Sequence, residues 1–466
     1  MAMLETTTVL GALRGVPSGN PDVSVFKGIP FAAPPTGDLR WREPQPATPW
    51  EGVRDASSFA PVCPQTDFEP GSFYDREFYH ALAASPMSED CLYLNIWTPA
   101  ASKGEKLPVL FWIHGGGFVH GAGSEFPFDG NTMAKRGVLL VTFNYRLGVL
   151  GFYAHPALSA ASPTHASGNV GLLDQLAALA WVRDNIAAFG GDPDRITVFG
   201  QSAGAMSVQV LLASPLARGM MAGAILQSGG GFFLNNRSMT LRKAEQDGKK
   251  LMKTCGVDTI EKMRALPVEA LFDGVRTLQK ESRGRAPAMG PLLDGHLIPQ
   301  DPSKAICAGE ASRIPILAGS LADEGNALGG SRDITLAMAA GSCVLAAVWP
   351  HITDKPAWHY HFTRKAPGDE YGAFHSAELW YVFGTQSRAW RPWEPIDAEL
   401  SERMVGYWTR FAATGDPNGE GLPGWPAFTD DAPLTLEIGE TTAPFRIGQN
   451  AEIQAVADKV TASLPG

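Results

Sequence analysis

The sequence predicts an α/β fold with a largely parallel central sheet, on three observations. Apolar runs rich in β-branched and aromatic residues recur along the chain. Several are apolar on both faces, the pattern of strands buried between helix layers. Segments with helical periodicity stand between them, and alternation of strand and helix is the mark of a parallel sheet.

The first hundred residues are richer in proline and loop signals, which predicts an antiparallel edge with long surface loops. The strands expected next are LPVLFWI (107–113), GVLLVTFNY (137–145), RITVFG (195–200), GAILQSG (223–229), IPILAG (314–319) and WHYHFT (358–363). GLLDQLAALAWVRDNIAAFGG has apolar residues at i, i+3 and i+4 and ends on Gly190 and Gly191, a helix stop signal. PIDAELSERMVGYWTRFAATG predicts a second long helix near the C-terminus. Residues 242–285 are helical and amphipathic and read as an insertion between two sheet strands. Such insertions cap the C-terminal edge of a parallel sheet, where ligands bind. The expected organisation is one domain over 1–466 with a helical cap around 240–290.

Composition narrows the partners. The 466 residues carry a formal net charge of −10, with 44% hydrophobic and 18% charged residues, as in an ordinary globular protein. The acidic balance and the lack of a basic run argue against nucleic acid or an anionic membrane as the main partner. No apolar stretch reads as long enough to span a bilayer. MAMLETTTVLGALRG lacks the basic and apolar regions of a signal peptide, so a cytoplasmic location is expected unless a leader has been removed. Cys63, Cys91, Cys255, Cys307 and Cys343 are too few and too scattered for a disulfide framework. With no C-x-x-C and no H-E-x-x-H, neither a zinc site nor another metal site is expected, and no cofactor.

Chemistry concentrates in ITVFGQSAGAMSVQVLLASP, which holds G-x-S-x-G as Gly200-Gln201-Ser202-Ala203-Gly204. A chain this long yields on the order of 0.2–0.4 such matches by chance, so context decides. A strand (196–199) precedes the motif and a helix-forming run (205–213) follows, the strand–elbow–helix arrangement it needs. The small residues allow a tight turn that presents Ser202 Oγ and puts the Ala203 amide at a helix N-terminus. An acyl-transfer serine also needs donors for the oxyanion of its tetrahedral intermediate. HGGGF (114–118) follows an earlier strand and offers bare backbone N–H groups. Gly116, Gly117 and Ala203 are therefore the expected donors, Gly115 serves the turn, and His114 is structural.

A serine nucleophile on this topology takes an Asp or Glu and then a His, in that chain order. Of the histidines after Ser202, His296 precedes the best acids, and His359 and His361 alternate within a strand. His351 has no loop context, while His375 lies in a glycine-bearing loop where a base can move between groups. The acid lies in IPILAGSLADEGNALGG, a strand emptying into a loop, where pattern alone leaves Asp323 and Glu324 open.

With these pieces placed, the chain resembles the type B carboxylesterase/cholinesterase family of the α/β-hydrolase superfamily. The likeness runs through FKGIPFAAPPTGDLRW, SEDCLYLNIWTP, FWIHGGGF, NYRLGVLGF, FGQSAGAMSV, AILQSGG, DEG and WTRFAATGDPN. It implies a serine carboxylesterase acting on small-molecule esters with the triad Ser202, Glu324 and His375, because the family's acid is the glutamate of D-E-G. It implies that Ser228 lies near that acid, and that Arg40 with Glu89 and Arg146 with Asp174 form buried ion pairs. It also implies a Cys63–Cys91 disulfide.

The departures from the family matter too. Gln201 stands beside the nucleophile where relatives often have glutamate, and Ala81 where cholinesterases have tryptophan, so choline esters are not the expected substrate. Cys255 has no cysteine partner, since Met263 stands near the matching place. The segment 325–374 is shorter than in the family, which predicts a more open pocket that tolerates bulky esters. Amides, carbamates and thioesters would use the same machinery. A non-catalytic binding role is countered by competent residues at all three triad positions.

Overall fold

Eleven strands form the central sheet of this computed structural model, which describes residues 2–79, 85–232, 239–281 and 289–464. Ala81 and the end of the predicted cap, 282–288, lie outside the described residues. Across the sheet the order is Thr442–Phe445, Thr435–Ile438, Ala357–Phe362, Ile316–Leu321, Gly223–Gln227, Gly191–Gln201, Leu107–Ile113, Leu139–Phe143, Tyr93–Thr98, Ser24–Pro30 and Val16–Pro17. From Leu139–Phe143 to Thr435–Ile438 the neighbours are parallel. The early strands make the expected antiparallel edge, and Glu5–Thr8, Gly11–Arg14 and Val53–Asp55 form a separate small sheet. All six strands predicted from apolar runs are present.

The parallel strands are apolar on both faces because both are covered. Val109, Phe111 and Ile113 face one core, and Leu110 and Trp112 face the other. The helix Val170–Asn185 ends through a 3₁₀ turn at Gly190, whose φ of 84° is left-handed. Helix Pro395–Thr414 stops at Gly415 in the same way, with φ 75°.

The predicted cap is three helices, Leu241–Thr254, Ile260–Arg264 and Val268–Glu281. Their apolar faces, with Leu251, Met263, Leu271 and Leu278, enclose a core shared with Trp41, Val149, Leu150 and Tyr153. Arg40 anchors the cap from below. It pairs with Glu89 at 2.7 Å and donates to Leu266 O at 2.7 Å. Arg146 and Asp174 form the second expected buried pair, at 2.7 and 2.8 Å. Cys63 and Cys91 are joined as a disulfide, while Cys255, Cys307 and Cys343 are free.

The reading that no stretch could span a bilayer is corrected by helix Arg332–Thr353. By length and composition it is apolar enough to cross one. Its charges sit at the N-terminal end, leaving a run dominated by Ala, Val, Leu and Trp. That run packs on the strands Ile316–Leu321 and Ala357–Phe362 and on helix Ala451–Ser463, burying Ala339, Ala340, Leu345 and Trp349. This helix lies within the short segment between Glu324 and His375.

Candidate active site

Four parallel strands bring the site together at their C-terminal edge. Leu107–Ile113 leads into HGGGF, Gly191–Gln201 into Ser202, and Ile316–Leu321 into Glu324. Ala357–Phe362 is followed by the loop that carries His375. Register fixes their spacing, with Ile113 beside Gly200, Gln227 beside Gln201, and Gly319 beside Gln227.

The elbow is as tight as the glycine pattern demands. Ser202 has φ 56° and ψ −124°, between the strand and helix Ala203–Ala213. A Cβ on Gly204 would lie 2.0 Å from Ile113 O, and one on Gly200 2.5 Å from the Gly204 carbonyl carbon. Glycine is therefore required at both positions by close backbone approach. Eight described non-glycine residues have positive φ, and Phe118, Ser202, Ser228 and Ser376 among them belong to or adjoin the site. Strain of this kind gathers where a fold over-determines the geometry of its functional groups.

Glu324 and His375 are brought together. His375 Nδ1 is 2.6 Å from Glu324 Oε2, and both residues are buried. The other oxygen, Oε1, accepts from Leu321 N at 2.9 Å. Among the described residues, Ser202 Oγ makes no hydrogen bond to the imidazole. His375 Nε2 lies 3.3 Å from Gln201 Nε2 instead. Tyr74 Oη donates to His375 O at 3.3 Å.

Asp323 has a role that pattern reading missed. Its N–H donates to Ala373 O at 3.1 Å, and its Oδ2 accepts from Ala373 N at 2.9 Å. The carboxylate beside Glu324 thus clasps the loop two residues before His375. The D-E pair divides the work, one carboxylate for the ring and one for its loop.

Gly116 and Gly117 have φ 92° and 63°, and neither N–H donates a hydrogen bond among the described residues. Ala203 opens its helix, so its N–H has no intrahelical acceptor. Among the described residues, all three amides are thus without an acceptor. Gly115 is a correction, because its φ is not positive and the turn belongs to Gly116 and Gly117. A Cβ on Gly115 would lie 2.9 Å from Gln201 O and 3.3 Å from Ser202 Cβ, so its bareness lets the turn approach the elbow. His114 is structural as expected. It is buried, stacks on Tyr145, and burial lowers its pKa to about 4, leaving a neutral ring.

Ser228 sits between the strands that lead to Ser202 and Glu324, and its N–H donates to Gly319 O at 2.9 Å. Its buried Oγ has no hydrogen-bond partner among the described residues, so it does not bond the acid directly. The adjacent Gly229 matters more for packing, since a Cβ there would lie 2.2 Å from Ser202 O. Among the described residues no group of His, Cys, Asp or Glu is arranged to hold a metal.

Glu378 lies three residues after His375 and is buried with Oε1 3.3 Å from Gln227 Nε2. Burial foremost, and then the charge of Glu324, raise its pKa to about 8. A carboxyl whose folded pKa is raised costs stability as pH climbs from its unfolded value, 4.5, to about 8. Glu378→Gln removes that cost. Its Tm relative to wild type should therefore rise between pH 5 and pH 8.5, by about 1 °C for each kcal/mol recovered in a chain of 466 residues. Parallel Tm curves across that range would contradict the assignment.

A cavity of about 890 Å3 has a lining that includes Gln65, Asp67, Val119, Phe272, Arg276 and Met289. The disulfide-closed segment, the turn and the cap helix Val268–Glu281 each contribute a wall.

The chain is similar to known proteins along most of its length. The sequence model of the carboxylesterase family matches residues 2–335 and 332–457. The fumonisin B1 esterase of Sphingopyxis macrogoltabida is 37% identical over 90% of this chain and 84% of its own length. The para-nitrobenzyl esterase of Bacillus subtilis (strain 168) is 36% identical over 92% of this chain and 94% of its own. The solved structure of a thermophilic PNB esterase superimposes with a TM-score of 0.85 at 32% identity, covering 97% of this chain and 99% of that one. A carboxylesterase of Geobacillus stearothermophilus gives 0.83 at 33% identity, with 97% and 100% covered. The chain therefore belongs to the carboxylesterase family, with its α/β-hydrolase fold, and is a carboxylic-ester hydrolase acting on small-molecule esters.

Proposed function

We propose that Ser202 is the nucleophile, His375 the base and Glu324 the acid of this esterase, with the amides of Gly116, Gly117 and Ala203 as its oxyanion hole. The observation that carries this reading is the 2.6 Å contact between Glu324 and His375 at the strand edge that also presents Ser202. His375 Nε2 takes the proton of Ser202 Oγ as the oxygen attacks the ester carbonyl. The Oγ to Nε2 hydrogen bond forms with substrate in place, when catalytic contacts commonly tighten. The three amides hold the tetrahedral oxyanion, and the imidazolium, stabilised by Glu324, protonates the leaving alcohol. Water, activated by the same ring, then releases the acid from Ser202. The reaction calls for no cofactor.

Bulky esters are the proposed substrate class. Support comes from the shortness of 325–374, where the family match divides into two pieces. A panel of esters varied in acyl length and alcohol bulk tests this, run beside the amide and thioester of one acyl group. Large acyl or alcohol groups should retain kcat/KM within about tenfold of the best substrate, a difference of about 1.4 kcal/mol. A strong preference for acetyl esters would overturn the size argument. Faster turnover of the thioester would favour the thioester reading, which one relative named as a medium-chain fatty acyl-CoA hydrolase makes worth including.

A further inference from the structure

We propose that Gln65 is a positioning residue for the oxyanion hole, acting through Gly121. The inference rests on the oxyanion assignment above and extends it to a side chain outside the HGGGF segment. Gln65 is buried two residues after Cys63. Its Oε1 accepts from Gly121 N at 2.7 Å, and its Nε2 donates to Gly121 O at 3.0 Å and to Cys63 O at 3.1 Å. The primary amide thus pairs with both polar groups of one residue, as a neighbouring strand would.

Gly121 is where such a hold transmits. Gly116 O accepts from Val119 N at 3.0 Å and from His120 N at 2.9 Å, so the turn closes on the residue that offers the first oxyanion amide. A Cβ on Gly116 would lie 2.1 Å from His120 O, so the two backbones are in contact. Gly121, at φ 111°, is equally confined. A Cβ there would lie 2.4 Å from His114 Nδ1 and 3.0 Å from Glu125 Oε1. Beyond it, Glu125 Oε1 accepts from Ala122 N at 2.9 Å. Gly116 and Gly117 therefore stand between His114 at the base of the turn and the 119–121 segment at its far side. Gln65 holds that far side from outside. A shift of Gly121 carries His120 and Val119 with it and re-aims the two amides.

The physical stake is the geometry of donors toward a charge that exists only in the transition state. A misplaced oxyanion hole lowers kcat while leaving ground-state binding nearly intact. Gln65→Leu keeps the bulk and removes both hydrogen bonds to Gly121. Gln65→Asn keeps the polarity but falls one methylene short, and it serves as the second variant should the leucine protein fail to fold. For each, kcat should fall about 10–100-fold with KM changed less than about threefold. Affinity for a trifluoromethyl ketone, which forms a tetrahedral adduct on the serine, should fall by the same factor as kcat/KM. Affinity for the matching methyl ketone should not change. Wild-type kcat and trifluoromethyl ketone affinity in a folded variant would overturn the proposal. So would equal losses for both ketones, since that is the mark of a general structural defect. Both readouts depend on activity that Ser202→Ala abolishes, so a wrong nucleophile shows there first and is told apart from a wrong role for Gln65.

Discussion

Replacing Ser202 with alanine should lower kcat/KM for an activated ester by about 10⁵–10⁶-fold while leaving the fold in place. The effect is large because, in the proposed mechanism, Ser202 Oγ is the atom that becomes acylated. The rest of the site can then only position an ester for attack by water. The fold should survive because Ala tolerates the elbow no worse than Ser does. The strained φ of 56° is imposed by the close packing of Gly200, Gly204 and Gly229 around residue 202, and Ser202 N–H still donates to Gln227 O at 2.9 Å. A fluorophosphonate should add to the wild-type protein at one residue, read by peptide mass at Ser202, and should not add to the variant. Near wild-type turnover by Ser202→Ala, or undiminished labelling, would show that another residue is the nucleophile.

What could be read from the sequence, and what could not, follows from how local each signal is. The strands were legible because burial on both faces leaves an uninterrupted apolar run, as in Val109–Ile113. The elbow was legible because strand, small residues and helix are contiguous, and the packing of Gly204 against Ile113 explains its glycine. The choice of Glu324 over Asp323 was not legible from pattern, since both are acidic and adjacent. It becomes physical only when one faces an imidazole and the other a backbone amide. Gln65 left no local signal, because its partner lies 56 positions away. The same holds for Arg391, whose guanidinium is buried against Glu77 at a separation of 314 positions. Helix Arg332–Thr353 was passed over for another reason. Its small residues Ala, Gly and Ser suit close packing on a sheet, and they break up the long aliphatic runs that signal burial.

Changing Glu324 to glutamine should cost about 10⁴-fold in kcat, far more than its near-isosteric shape suggests. The reason is in the two bonds the carboxylate accepts, from His375 Nδ1 at 2.6 Å and from Leu321 N at 2.9 Å. A carboxylate accepts at both oxygens, whereas an amide offers one acceptor and one donor. If the glutamine oxygen faces His375, its NH2 opposes the buried Leu321 N–H and the side chain is displaced. If it turns over, the NH2 faces Nδ1, and the ring must carry its proton on Nε2, the nitrogen that has to accept from Ser202. Both orientations disable the base, and neither supplies the negative charge that stabilises the imidazolium. Neutralising residue 324 also removes a charge that holds the Glu378 pKa up, so Glu378 should ionise at lower pH in this variant. Measurement of kcat for Glu324→Gln, with NMR of the His375 ring nitrogens, tests the two halves together. A loss of less than about tenfold, with Nδ1 still protonated, would remove Glu324 from the triad and turn attention to the remaining carboxyls near His375.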